Sequence, residues 1–289
     1  MKAVYYFFVF FVKIFRFIPF RILYLFSDIL RFFMLYILSY RRAVVKRNLS
    51  NSFPEMKDKE KKKLLGLFYK NLCDILVEGI KGFTMEAEEL RRRYRFVNPE
   101  ILLPFFEEGK NVVATGAHYA NWEWGIMAAP LQLKHKNVAF YTSLTNKYID
   151  DYMRKSRERF GSELLPSQKV RRAFTEKHEK PVSFFFGADQ VPANLKGVHW
   201  MEFLHQDTAC MKGPEFFSKV YDLPVFYFDV QRVKRGYYTV TIFLLTDVPK
   251  HTVDNEITER YMLFLEDVIK KKPEDYLWSH RRWKRSRKA

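Results

Sequence analysis

A histidine and a glutamate stand five residues apart in a stretch that favours a strand followed by a helix. Segment 111–123 begins with an apolar run ending at Gly116 and continues to Asn121, a residue type that caps helices. On one continuous helix, positions five apart are rotated by about 140° from each other. If His118 lies in the turn and Glu123 in the first helical turn, the carboxylate can instead fold back onto the imidazole. Such a pair would make His118 a general base for a hydroxyl, with Glu123 fixing its tautomer and the helix N-terminus favouring a developing negative charge.

Other chemistry at this histidine is less well supported. A histidine in a turn often only satisfies a backbone carbonyl, so the spacing alone is a weak signal. No further histidines stand at zinc-ligand spacing, and we therefore expect no metal. The chain has no Gly-x-Ser-x-Gly segment, which argues against a serine hydrolase with an acyl-enzyme intermediate. Cys73 and Cys210 match neither metal nor disulfide spacing, and we expect both to be packed side chains.

The elements around this segment alternate between short apolar strands and helices. This rhythm predicts an α/β fold with a mixed, largely parallel central sheet covered by helices on both faces. Strands are predicted at 112–115, 138–141, 182–186, 225–230 and 239–245, and helices at 58–82, 99–108, 121–133, 146–160, 170–178, 211–220 and 255–271. Ligands bind outside the carboxyl ends of parallel strands, which is where His118 falls.

The first forty residues differ in texture from the rest, and we divide the chain into an anchor (1–40) and a catalytic domain (41–289). The apolar run 4–12 is interrupted by Lys13, Arg16 and Arg21, whereas a membrane-spanning helix needs about 20 apolar residues. We expect two hydrophobic helices, broken near Pro19, that dip into or lie on a bilayer; the alternative is a buried helical hairpin covering the enzyme. The basic cluster 41–47 that follows favours the cytoplasmic leaflet of the cell inner membrane.

The charge balance points to an anionic partner. Lys and Arg number 50 against 33 Asp and Glu, which gives a formal net charge of +17. A field of that sign attracts nucleic acid, anionic bilayers, phosphorylated substrates or acidic carrier proteins. Trp278 and Trp283, interleaved with arginine, suit single-stranded nucleic acid as well as a headgroup interface. Because 29 phenylalanines point to lipid, we expect a membrane partner and no nucleic acid. The basic residues of this ending are His280, Arg281, Arg282, Lys284, Arg285, Arg287 and Lys288.

Several segments together resemble one known family. Residues 116–123 resemble the His-x4-acidic motif of the bacterial lipid A biosynthesis acyltransferases, late acyltransferases that use acyl carrier protein thioesters. Further similar segments follow in that family's order: 141–161 with Asn146, Asp150 and Arg157; 187–191 followed by Phe203 and 208–214; and 276–284, which carries a Trp-x-His-Arg-Arg-Trp-Lys ending. Residues 42–54 also match, so the resemblance covers nearly the whole chain.

The resemblance implies a glycerolipid acyltransferase-like fold and a direct transfer without a covalent intermediate. His118 would take the proton from a hydroxyl, often the 3-hydroxyl of an acyl chain already on a glucosamine disaccharide, while Glu123 orients the ring. The oxygen would then attack the thioester of acyl carrier protein, which serves as co-substrate; no cofactor is implied. Arg157 would help at the oxyanion or at a substrate phosphate, and Asp189 would support the site from a neighbouring strand end.

Some of these roles have simpler alternatives. Arg157 could belong to a solvated charge run, and Asp189 could merely cap the loop that follows its strand. Contacts to an anionic glycolipid acceptor are expected from residues beside the motif and in the basic segments. These residues are Asn121, Trp122, Arg154, Arg159, His280, Arg281 and Arg282.

Other functions remain open at this point. The acceptor could be another glycolipid, a phospholipid or an aminolipid, because acceptor choice depends on the shape of the groove. A non-catalytic basic protein that binds anionic lipid would explain the charge and the anchor but not the ordered segments. A lipid or thioester hydrolase would use His118 to activate water and would release free fatty acid.

Overall fold

The computed structural model describes residues 1–285 and Arg287, so Lys288 of the basic ending lies outside the described residues. The chain begins with two helices, α1 (Lys2–Phe17) and α2 (Phe20–Phe32), followed by a π-helical turn at Phe33–Ile37. Pro19 stands between α1 and α2, as its fixed φ and missing N–H predict. The predicted pair of hydrophobic helices broken near this proline is confirmed.

Length and composition do not make either helix a membrane span. Within the described residues, no single helix is long and apolar enough to cross a bilayer. Only Phe20–Ile37 and Arg42–Ser52 taken together meet those criteria, and they are bent by 87° relative to each other.

Three helices connect this region to the sheet. They are α3 (Arg42–Ser52), α4 (Asp58–Gly82) and α5 (Ala87–Arg93). Helix α4 has the bounds that its apolar spacing predicts, and its buried face includes Leu64, Phe68 and Leu72. The same face buries two carboxylates, Asp74 and Glu78, one helical turn apart.

The central sheet has seven strands. They are β1 (Tyr94–Phe96), β2 (Val112–Gly116), β3 (Lys136–Tyr141), β4 (Glu163–Pro166), β5 (Val182–Gly187), β8 (Val225–Lys234) and β9 (Tyr237–Thr246), in the order β1-β9-β8-β2-β5-β3-β4. Among the described strands of this sheet, only the β8–β9 pairing is antiparallel. The predicted mixed, largely parallel sheet is therefore confirmed, with β2 at its centre.

A two-stranded antiparallel hairpin lies outside this sheet. It consists of β6 (His199–Phe203) and β7 (Gln206–Cys210), which the apolar pattern did not predict. The remaining helices are α6 (Leu103–Glu107), α7 (Trp122–Gln132), α8 (Lys147–Glu158), α9 (Val170–Thr175), α10 (Gly213–Tyr221) and α11 (Glu256–Lys271). Each lies within a predicted helical segment, except that α10 extends one residue beyond the predicted 211–220.

Polar contacts join the amino-terminal helices to α4 and to the β8–β9 turn. Ser27 of α2 donates to Asp74 at 2.6 Å, and Arg235, in the β8–β9 turn, donates to Asp28 at 2.9 Å and to Asp74 at 2.6 Å. Lys81 of α4 donates to three carbonyl oxygens at the end of α1, including Ile18 O at 2.9 Å. Because the buried Asp74 carboxylate needs partners, these contacts fix one face of α1 and α2 against the rest of the fold.

Candidate active site

His118 lies in the turn between β2 and α7, at the carboxyl end of the central strand. Asn121 ends the turn as the N-cap of α7, because its Oδ1 accepts from the Trp124 backbone N–H at 3.0 Å. The predicted cap is confirmed. Ala120 adopts a left-handed conformation with φ of 49°, which a non-glycine residue holds only where its surroundings impose it.

The carboxyl-terminal segment supplies that constraint. The backbone N–H of Ala120 donates to Asp275 O at 2.9 Å, and Leu277 N–H donates to His118 O at 3.2 Å. Tyr119 and Tyr276 form an isolated antiparallel bridge between the same two segments. The turn that carries the histidine is thus held by main-chain hydrogen bonds on its outer side.

The imidazole of His118 is paired with Asp189. Its Nδ1 lies 2.8 Å from Asp189 Oδ1, and the carboxylate is buried with 2% exposure. Strands β2 and β5 pair in parallel with Gly116 opposite Gly187, so the residues two positions beyond each glycine meet above the sheet. Gly187 also leaves room for the ring, since a Cβ there would lie 3.3 Å from His118 Cε1. With Nδ1–H donated to the carboxylate, Nε2 keeps its lone pair.

Glu123 does not make the predicted contact with His118. Its Oε2 instead accepts from Arg157 Nε at 3.1 Å and Nη2 at 2.6 Å, and within residues 1–285 it forms no hydrogen bond to the imidazole. Helix α8 packs against α7 and places the guanidinium beside the first turn of that helix. The direct partner of the histidine is therefore Asp189, while Glu123 holds Arg157.

The charges around the imidazole set its protonation. Burial opposes charging of the ring, but the Asp189 carboxylate and then Glu123 outweigh it and raise the pKa of His118 above its ordinary value of 6.5. Burial of Asp189 favours the neutral carboxyl and on its own would raise the pKa of this group. His118 and then Arg282 outweigh burial and lower the pKa of Asp189 below its ordinary value. The pair therefore consists of an ionised carboxylate and a histidine whose basicity is strengthened.

An apolar cavity opens beside this pair. It is small, with a volume of about 30 Å³, and lies between α7 and the sheet. Its lining includes Ala117 and Trp122 near the histidine, and Tyr94, Phe185 and Phe228 from the strands. The Trp122 ring packs 5.3 Å from the His118 ring, centroid to centroid, so the histidine stands at the edge of the cavity.

Comparison with known proteins shows which family the chain belongs to. Residues 1–285 match the sequence model of the bacterial lipid A biosynthesis acyltransferases. The chain belongs to this family. It is 22% identical over 246 residues to a lipid A biosynthesis palmitoleoyltransferase of Escherichia coli, covering 84% of this chain and 79% of that protein. It is 24% identical over 247 residues to a lipid A biosynthesis acyltransferase of Haemophilus influenzae, covering 84% and 78% of the two chains.

The acyltransferase brings the segments that carried the resemblance together around the turn that holds His118. Asn48 Nδ2 donates to Trp278 O at 2.9 Å and to His280 O at 3.0 Å. Trp283 Nε1 donates to Thr208 Oγ1 at 2.7 Å. Hydrogen bonds thus connect the carboxyl-terminal motif, which holds the turn, to residues 42–54 and to strand β7.

In the basic carboxyl-terminal motif of the acyltransferase, His280 and Arg282 were predicted to bind the lipid acceptor, but both contact other parts of the protein. His280 accepts a hydrogen bond at Nε2 from the Val191 N–H at 3.1 Å, and burial lowers the pKa of its imidazole to about 4. Arg282 is only 2% exposed and lies near Asp189, with Nη2 3.8 Å from Cys210 Sγ. These two side chains face the Asp189 loop, and of the three only Arg281 is exposed to an external anion.

Three other residues of the acyltransferase that were predicted to contact the substrate bind groups of the protein itself. Asn121 is fully buried, and its Nδ2 donates to Glu78 Oε2 at 2.7 Å. The Arg159 guanidinium donates to carbonyl oxygens where α4 ends, including Gly82 O at 2.8 Å. Arg154 is paired with Asp151 and Glu158 of its own helix, each at 2.7 Å. Of this group only Trp122 lines the cavity.

Proposed function

We propose that this acyltransferase moves a fatty acyl chain from an acyl carrier protein thioester to a hydroxyl of a lipid A-type glycolipid. The supporting observation is the His118–Asp189 pair at the edge of an apolar cavity. A strengthened base and a water-poor apolar site are what acyl transfer to an alcohol needs, because water would otherwise compete as the nucleophile.

The proposed step is a direct displacement. His118 Nε2 removes the hydroxyl proton while the oxygen attacks the thioester carbonyl. The C–O bond forms, the C–S bond breaks, and the imidazolium returns the proton to the departing thiolate. Asp189 stabilises the imidazolium through Nδ1. No resident cofactor or metal takes part.

Arg157 and Glu123 have complementary roles in this proposal. Arg157 is only 13% exposed and lies beside the first turn of α7, where its positive charge would stabilise the oxyanion or bind a phosphate of the acceptor. Glu123 fixes the guanidinium by accepting from two of its nitrogens. Glu123 was predicted to orient His118, and we propose instead that it orients Arg157.

The lining of this small cavity matches the apolar chemistry of the donor's acyl chain, and its walls must separate to admit the chain. Apart from Asn137, the walls are aromatic and aliphatic side chains, together with Gly116 and Gly125, whose lack of a side chain widens the cavity. A Cβ at Gly116 would lie 2.8 Å from Phe185 Cζ, and one at Gly125 would lie 2.8 Å from Tyr94 Oη. Trp122 borders both the cavity and the histidine, so a thioester carbonyl at the cavity mouth would lie close to Nε2.

A lipid A precursor is the proposed acceptor because the relatives named above carry lipid A biosynthesis in their names. Another glycolipid, a phospholipid or an aminolipid would use the same chemistry. The decisive experiment mixes the purified enzyme with acyl carrier protein thioester and a tetra-acylated lipid A precursor, and analyses the product by mass spectrometry. A mass gain of one acyl chain supports the proposal. Free fatty acid without acylated lipid, with acceptor present, would overturn it in favour of hydrolysis.

We further propose that the enzyme works on the cytoplasmic face of the inner membrane. More than half of the large hydrophobic side chains exposed on the described residues lie within 1–40, on α1, α2 and the segment that follows them. Phe7 is 64% exposed and Phe10 is 59% exposed, and Lys13 and Arg16 follow on the same helix. Apolar side chains beside basic ones are typical of helices that lie in a headgroup interface.

Replacing Phe7 and Phe10 by glutamate is expected to weaken binding to phosphatidylglycerol vesicles by at least about 10²-fold, since each buried phenylalanine contributes about 1.5–3 kcal/mol. Vesicle sedimentation measures this. The matched control replaces Phe216 and Val220, which are 48% and 53% exposed on α10. Equal loss in both variants, or none in the first, would contradict the proposal. Point substitutions are preferable to deleting residues 1–40, because deletion would also remove Ser27 and Asp28 from their buried partners.

A further inference from the structure

Glu78 is a fully buried carboxylate whose hydrogen bonds converge from three parts of the chain. It accepts from Tyr24 Oη of α2 at 2.8 Å, from Asn121 Nδ2 at 2.7 Å and from Tyr238 Oη of β9 at 2.7 Å. Its backbone oxygen also accepts from the Trp124 indole N–H at 3.0 Å. Two of these four bonds come from the residues that begin α7, directly after the turn that carries His118.

Asp74, one helical turn earlier, differs from Glu78 in its partners. It is equally buried but is paired with the guanidinium groups of Arg232 and Arg235 and with the Ser27 hydroxyl. A carboxylate held by two cations compensates buried charge and joins α2 to the β8–β9 hairpin. The side-chain donors to Glu78 are all uncharged, and burial raises the pKa of this carboxyl. A costly buried acid with such partners needs another explanation than ion pairing.

We propose that Glu78 is a positioning residue for acyl transfer, acting through Asn121. This inference rests on the proposed role of His118. The Asn121 amide has two ends: Oδ1 caps Trp124 N–H and so starts α7, while Nδ2 is held by Glu78. By holding the Nδ2 end, Glu78 fixes the orientation of the amide whose Oδ1 caps α7, and so sets where α7 begins relative to β2. That junction places His118, Trp122 and Glu123 around the reacting groups.

The contact with Tyr24 extends this positioning to α2. The tyrosine belongs to the helix whose other face exposes Leu25 and Phe26, at 63% and 50%. The side chains of Glu78 and Tyr24 therefore connect the start of α7 to the helix whose apolar surface is proposed to lie in the membrane. A displacement of about 1 Å at a catalytic group can cost on the order of 10²-fold in rate, so small shifts at this junction matter.

The test uses the full-length enzyme and compares kcat with KM. Glu78→Gln places an amide N–H₂ among three donors, and we expect kcat to fall about 10- to 100-fold with KM for the donor unchanged within about threefold. Asp74→Asn is the matched control, since it alters an equally buried carboxylate on the same helix that does not contact Asn121. The melting temperature of Asp74→Asn should fall at least as much as that of Glu78→Gln, while its kcat stays within about threefold of wild type.

Reversing the polarity of the contact provides the stricter test. Asn121→Asp alone would put two buried carboxylates together and should be the worst variant. Combining it with Glu78→Gln restores one donor and one acceptor, and Asp remains a good N-cap, so kcat should recover to within about fivefold of wild type. If Glu78→Gln does not fold, Asn121→Ser keeps the cap, removes only the contact with Glu78 and should show the same loss of kcat.

Three outcomes would overturn the inference. They are a kcat for Glu78→Gln equal to that of Asp74→Asn, a double variant no better than its parents, or Asn121→Ser with normal kcat. A His118→Gln variant measured in parallel keeps the two proposals apart. If it remains active, the proposed base is wrong whatever Glu78 does; if it is inactive while Glu78→Gln is normal, only this inference fails.

Discussion

Removing the basic nitrogen at position 118 is expected to lower kcat for acyl transfer by about 10²–10⁴-fold. In the wild type, Nδ1 is bound to Asp189, and Nε2 is the nitrogen left to accept the hydroxyl proton. Alanine also leaves the buried Asp189 carboxylate without its partner, so that variant should lose thermal stability. Glutamine can still donate to the carboxylate but has no basic nitrogen. His118→Gln should therefore lose as much activity as His118→Ala while melting closer to the wild type.

The measurement is initial rate by mass spectrometry of the acylated lipid, with carrier thioester and acceptor both saturating. A melting curve for each variant separates lost chemistry from lost folding. If both variants keep turnover within about tenfold of wild type, His118 is not the general base. If only the alanine variant is inactive, the histidine is needed to hold Asp189 rather than to move the proton.

The strand-helix rhythm predicted the five inner strands of the sheet and the place of His118, but not the short edge strands β1 and β4. Apolar runs such as 112–115 and 182–186 are buried in the centre of the sheet, where length and composition identify a strand without knowledge of its neighbours. Asn121 predicted the start of α7 because capping is a local interaction within three residues. The hairpin β6–β7 escaped prediction, since Gln206 and Asp207 give its second strand little apolar character.

The partner of His118 was harder to predict because it depends on register between strands. Glu123 is five residues away along the chain, whereas Asp189 is 71 residues away and meets the histidine only because Gly116 lies opposite Gly187. No local spacing encodes that pairing. Once α8 packs on α7, Arg157 provides the carboxylate of Glu123 with a stronger partner than a histidine, since guanidinium–carboxylate bonds are charge-assisted.

The carboxyl-terminal motif shows a similar limit. In the sequence, a run of arginines beside two tryptophans indicates a solvated, anion-binding tail. In the fold, Trp278 and Arg282 are buried and the backbone of this segment holds the turn that carries His118. Glu78 did leave a local signal, because a carboxylate on the apolar face of a predicted helix must find buried donors. The residues that supply those donors come from distant segments and could not be named.

Replacing Asp189 by asparagine is expected to lower the maximum rate by at least about 10²-fold, because the amide neither fixes the correct tautomer nor stabilises the imidazolium. The pH dependence should change in a direction that a general loss of folding would not produce. Transfer requires neutral His118, so the rate rises with pH through the pKa of this residue, which Asp189 raises above 6.5. Without that charge the pKa falls, and the acidic limb of kcat/KM moves to lower pH.

The same pair makes a stability prediction with a defined pH window. A raised histidine pKa contributes stability that is complete below 6.5 and is lost as pH rises through the folded-state pKa, whereas a lowered aspartate pKa contributes stability above 3.8 that is lost as pH falls. The melting temperature deficit of Asp189→Asn should therefore be largest between these values and shrink on both sides.

In the pH–rate measurement, Glu123→Gln is the matched comparison for Asp189→Asn, because the Glu123 carboxylate is not hydrogen-bonded to the imidazole of His118. An equal shift of the acidic limb in both variants would show that the charges act only at a distance, and that the 2.8 Å contact does not define the base.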